Sequence, residues 1–198
     1  MKHRKSAVFF TLMVSLFVSV FANATMVQQM NLGELTSNAD KIFRGTVIKV
    51  ESGTITAGGA ELSTVKYIIQ VSDLIKGNIS SSGKEGGDTL ELTMLGRLKE
   101  KTSQSTIKNV AGFKLPVLKS GSEYLLFTTT PSQLGLSMMV GVGQGTFRFV
   151  EDGKVMNEAK NAGLFRDMNN SRMAERGAVT YSNLTDEIKD LIAKQGGK

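Results

Sequence analysis

Cysteine and tryptophan are absent from this 198-residue chain, proline occurs twice and histidine once. The one histidine, His3, lies inside a segment that reads as a cleaved leader, so the mature chain keeps neither imidazole nor thiol. That excludes a Ser-His-Asp triad, a thiolate nucleophile, a Cys/His zinc site and His- or Cys-ligated haem. Without cysteine there are no disulfide staples, and stability must come from an apolar core. Charged residues make up 21% and hydrophobic ones 40%, which excludes a disordered chain and a multi-span membrane protein.

The leader has three parts. Lys2, His3, Arg4 and Lys5 form a positive start, and Ala7 to Phe21 follow without a charge. Ala22-Asn23-Ala24 then places small residues at the two positions a signal peptidase reads. An apolar run this short, at ~1.5 Å per residue, does not span the ~30 Å hydrocarbon core. The expectation is a signal peptide over 1–24, a mature start at Thr25, export to the periplasm or beyond the cell, and no stable membrane insertion. Losing Lys2, Arg4 and Lys5 takes the formal charge from +6 to +3, which weakens any nucleic-acid reading.

From Asp40 to Val150 the apolar pattern has period two. Val65, Tyr67, Ile69 and Val71 alternate with Lys66, Ile68, Gln70 and Ser72, as Leu90, Leu92 and Met94 do with Glu91 and Thr93. Leu125 and Phe127 share a face, and so do Phe147 and Phe149. Ile42–Glu51 and Leu136–Val142 read as further strands. Glycines mark turns at 53–59 and 77–88, and Glu151-Asp152-Gly153-Lys154 reads as a hairpin turn. Twisted strands with one buried face must hide their edges, which predicts a mainly β fold built as a small closed antiparallel barrel. A short helix is predicted over 31–38, and a C-terminal helix capped by Thr185 with Ile188, Leu191 and Ile192 on its apolar stripe. The domain reading is a barrel over 25–157 and a polar extension with the C-terminal helix over 158–198.

Two motifs carry candidate chemistry. Gly141-Val142-Gly143-Gln144-Gly145 resembles a phosphate loop, but the strand-like Thr146–Val150 follows where a phosphate site needs a helix, so these glycines read as a bend. Arg97, Lys99, Lys101, Lys108 and Lys114 face only Glu100, a solvated loop or a patch for an acidic partner. No aromatic residue lies between Arg97 and Asn109 to stack bases. Asp40, Asp73 and Glu123 border apolar segments, yet none forms a proton-sharing pair with another acid in the sequence pattern. No enzymatic activity, cofactor or resident metal is expected.

Leu35–Val47, with its Asp40-Lys41-Ile42-Phe43-Arg44-Gly45-Thr46-Val47 run, leads to Thr64–Val71 and to Leu74-Ile75-Lys76-Gly77. Ala111-Gly112-Phe113 and Gly121–Phe127 come later. This order resembles the netrin-like module of the tissue inhibitors of metalloproteinases, an OB-type barrel, and also a group of bacterial exported proteins. The resemblance covers about residues 35–150. It implies a protein partner, a secreted zinc metalloprotease. In that family the α-amino group and carbonyl of the first residue, a cysteine held by a disulfide, sit on the protease zinc. Here the corresponding contact set is Thr25, Met26 and Val27 with Gly141, Gly143 and Gly145 at the same rim. The sequence thus points to an exported module acting by protein–protein contact. The alternatives are a carbohydrate or polyanion binder using the 97–114 segment, and an unusual hydrolase without His or Cys.

Overall fold

A computed structural model describes residues 28–79, 87–98, 116–168 and 177–196. The leader, Thr25, Met26, Val27 and the lysines at 99, 101, 108 and 114 lie outside the described residues. Asn31 starts the first helix, α1 (Leu32–Asn38), through a reciprocal cap. Its side chain accepts from the Glu34 N–H at 2.9 Å, while the Glu34 carboxylate accepts from the Asn31 N–H at 2.7 Å. Leu32 and Leu35 are thereby turned into the core.

Two long strands follow, β1 (Lys41–Ala57) and β2 (Ala60–Lys76), joined by Gly58-Gly59 with both φ angles positive. Then come β3 (Thr89–Leu95), β4 (Glu123–Thr128), β5 (Thr146–Phe149), β6 (Lys154–Asn157), β7 (Val179–Thr180) and a C-terminal helix, α2 (Tyr181–Gly196). They form one antiparallel seven-stranded sheet in the order β3-β2-β1-β4-β5-β6-β7. The β1–β2 register slips between Val47 and Lys49, leaving Ile48 exposed.

Both faces of the middle of this sheet are buried. Phe43, Val47, Tyr67, Ile69, Met94 and Leu126 form one core. Ile42, Leu125, Phe127 and Phe147 belong to another, covered by Leu35 of α1 and by Leu184 and Ile188 of α2. Each such side chain contributes about 1.5–3 kcal/mol on burial. Leu164, Phe165 and Val179 join the second core, so the described residues on either side of 169–176 pack directly on the sheet.

The structure corrects three expectations. The sheet is not closed, because no ladder joins β3 to β7; β3 is instead met by a single bridge from Thr93 to Leu136. Leu136–Val142 is not a strand: it makes bridges at Leu136 and Met139 and then turns at Val140–Gly143. The C-terminal helix begins at Tyr181 rather than at Thr185, which is buried inside it. No helix among the described residues is long and apolar enough to cross a membrane.

Candidate functional site

The polar residues that precede α1 are tied to the turn before β5. The Gln144 side chain does most of this, accepting from the Met30 N–H at 2.8 Å and donating to the Gln28 carbonyl at 2.9 Å. On the other side the Gln29 amide donates to the Ala162 carbonyl at 2.6 Å, and Arg166 donates to the Gln29 carbonyl at 3.1 Å. The Leu32 N–H donates to the Leu164 carbonyl at 2.7 Å. Residues 28–30 therefore lie clamped between the 141–144 turn and the 162–166 turns.

The turn is held from below by a pair of asparagines. Asn157, at the end of β6, donates from its side chain to the Gln144 carbonyl at 3.0 Å. Asn157 and Asn161 each accept, through Oδ1, the other's backbone N–H, at 2.8 and 3.0 Å. Asn161 is fully buried, with φ at +56°, and also donates to the Val155 and Gly177 carbonyls. A short amide side chain suits both the left-handed backbone and a buried site where its donors and acceptor all find partners.

The three glycines singled out in the sequence differ in role. A Cβ on Gly141 would sit 3.0 Å from Met30 Sδ, so Gly141 is where residues 28–30 meet the turn. A Cβ on Gly145 would come within 2.8 Å of the Phe127 Cβ, which makes Gly145 a packing position. Gly143 is buried against Pro116. Between them stands Val142 with φ at +54°, a conformation a β-branched side chain rarely adopts. The glycine run is followed by strand β5, not by a helix.

Two hollows flank this turn. One, of about 380 Å³, is lined by Gln29, Gly141, Val142, Gln144, Glu158 and Ala159. The other, of about 490 Å³, lies between Pro116, Val117 and Lys119 on one side and Tyr124, Arg148 and Met156 on the other. Glu158 borders both, so the two adjoin.

The acids considered from sequence are each engaged. Asp40 pairs with Lys41. Glu123 receives Nε and Nη2 of Arg44 at 2.7 and 2.9 Å, and Asp73 receives the Tyr181 hydroxyl at 2.7 Å. The Arg44 guanidinium stacks on both Phe149 and Tyr181, at 4.5 and 4.9 Å from the ring centroids. The hydrogen bond to Glu123 raises the Arg44 pKa, and burial, ahead of the bond to Asp73, raises that of Tyr181. Among the described residues no group of three or more Asp or Glu could hold a metal ion. Of the basic stretch, Arg97 is described: it is exposed and reaches Ser63 Oγ at 3.3 and 3.4 Å.

The chain matches no protein-family model, and no curated protein is similar enough to count as a relative.

The clamp residues Gln29, Gln144, Asn157, Asn161 and Arg166 were not legible as site residues. One hint exists: no charged residue occurs from Tyr124 to Phe147, and Gln144 sits in that stretch between two glycines.

Proposed function

We propose that this protein is an exported, non-catalytic binding module of netrin-like kind. It acts through a protein contact made by its mature N-terminus and the 141–144 turn, and its partner is a secreted zinc metalloprotease. One observation carries this reading: the Gln144 side chain holds residues 28–30 by two bonds, at the Met30 N–H and the Gln28 carbonyl. A mature start at Thr25 leaves three residues before Gln28, and three residues of chain reach at most about 10 Å. On this reading the α-amino group of Thr25 acts within that reach of Gln28, and an α-amino group is able to ligate a partner's zinc without any cysteine in this chain. The clamp supplies by side-chain hydrogen bonds the anchoring that a disulfide gives in the inhibitors it resembles. Strain of about 1–3 kcal/mol at a residue such as Val142 is kept where the turn's shape is used.

The test is inhibition of a matrixin-type zinc protease by protein beginning at Thr25, compared with protein carrying one extra residue before it. The reading expects inhibition that falls about tenfold or more on extension, the loss of one well-placed ligand. Equal inhibition by both forms would remove the amino-chelation step, and no inhibition by either would remove the protease as partner.

A further inference from the structure

We propose that the 490 Å³ groove beside the turn binds an extended acidic peptide segment, whose carboxylate is held by Arg148 and Lys119. The cross-strand register sets Tyr124, Arg148 and Met156 in one row across β4, β5 and β6. On β4 the same face is core, carrying Tyr124 and Leu126, but at Arg148 the face emerges into the open groove. Neither Arg148 nor Lys119 has an ion-pair partner among the described residues. Glu123, which also lines the groove, is already neutralised by both nitrogens of Arg44 and does not oppose an incoming anion.

A second observation is independent of charge. Thr146 lines the groove, is only 7% exposed, and its hydroxyl has no hydrogen-bond partner among the described residues. A buried hydroxyl is normally satisfied, and a ligand reaches this enclosed one only when the groove wall shifts to admit it. The lining also selects the ligand class. A sugar needs an open aromatic face, yet Phe149 is stacked by Arg44 and Tyr181 and Tyr124 is 8% exposed. A hydrocarbon chain would leave Ser122, Thr146 and Glu158 unmatched. A peptide places amides against these polar groups and side chains against Val117 and Met156, and the volume falls within the roughly 300–1,000 Å³ of small-ligand sites. Glu158, two residues beyond the Met156 that pairs with Arg148, also lines the groove and repels a second acid on the ligand.

The probes are acetyl-Leu-Glu-Leu-amide and acetyl-Leu-Gln-Leu-amide, titrated into the mature chain and followed by amide chemical shifts. The glutamate peptide should bind about tenfold more tightly than its glutamine counterpart, the size of one charge-assisted hydrogen bond. Added salt should narrow that gap, and Arg148→Gln should abolish it. Thr146→Val should weaken the glutamate peptide severalfold while leaving the melting temperature equal or higher. Equal affinity for the two peptides, binding of neither, or a gap that survives Arg148→Gln would overturn the proposal. A Thr146→Val protein with unchanged affinity would remove the hydroxyl from it. An extra residue before Thr25 should leave peptide affinity unchanged, so this site and the N-terminal contact fail separately.

Discussion

Arg44 and Glu123 lie diagonally across the β1–β4 ladder, two positions out of register, and the guanidinium that joins them also stacks on Phe149 and Tyr181. One side chain thus connects three strands to the first residue of α2. Its ion pair is partly open to solvent, with side chains 33% and 30% exposed, so the charge–charge part is modest. The fork geometry and the two rings add to it. Arg44→Ala should lower unfolding free energy by about 1–2 kcal/mol, and Arg44→Lys by less than that because it keeps charge but loses the fork. Denaturant melts of the two variants check this.

Tyr67 stands in the centre of the core that holds Phe43 and Met94, with a buried hydroxyl that makes no hydrogen bond among the described residues. Burial pushes its pKa up from 10.0 to about 12; the nearby Leu118 backbone works against that rise without meeting hydrogen-bond geometry. The fold favours the protonated phenol. Its contribution is therefore complete below about pH 10 and is lost as pH rises through about 12. Tyr181 moves in the same direction. Tyr67→Phe should leave neutral-pH stability equal or up to about 1 kcal/mol higher and should soften the alkaline loss. Melts taken at successive pH values above neutrality read both effects.

Val142 gives a prediction of opposite sign. With φ at +54° its side chain costs backbone energy that glycine does not. Val142→Gly should stabilise the protein by about 1 kcal/mol. If the turn serves partner binding, the same change should weaken it, because a preformed shape is replaced by a mobile one. A melt and a binding titration on the same variant separate the two.

Asn161 tests the support of the site. Its side chain and N–H make four hydrogen bonds, its carbonyl accepts a fifth from the Leu164 N–H, and it has no access to solvent. Asn161→Ala strands three of those partners: the Asn157 N–H and the carbonyls of Val155 and Gly177. It should cost about 2–4 kcal/mol. Asn161→Asp should cost nearly as much, since it loses the two amide donors. Thermal melts of both variants are the measurement.

How far the sequence could be read follows from where the apolar signal is strong. Val65, Tyr67 and Ile69 alternate cleanly because the other face of β2 is solvated, and they are core as expected. β4 buries both faces, so Leu125 and Phe127 were recognised as one set while Tyr124 and Leu126 carried no contrast. The ends of β1 and β2 beyond residue 51 pair mainly with each other, and their small and polar residues gave no strand signal. The reading of Leu136–Val142 failed because Gly141 and Val142 adopt left-handed backbone, which hydrophobicity does not encode. A cap at Thr185 would start α2 five residues late, because Tyr181 is fixed by tertiary contacts to Asp73 and Phe149 rather than by a local cap. The side-chain bonds that hold residues 28–30 join partners more than 100 residues apart, as in the Met30–Gln144 bond, and no local pattern marks such a pair.

The most direct measurement of the central claim uses Gln144. In Gln144→Ala the Met30 N–H and the Gln28 carbonyl both lose their partner, while the sheet is untouched. Inhibition of a matrixin-type zinc protease by protein starting at Thr25 should fall about tenfold or more, with the melting temperature lowered only by the few degrees that about 1 kcal/mol represents. Undiminished inhibition in Gln144→Ala, or none by the parent protein, would contradict the account.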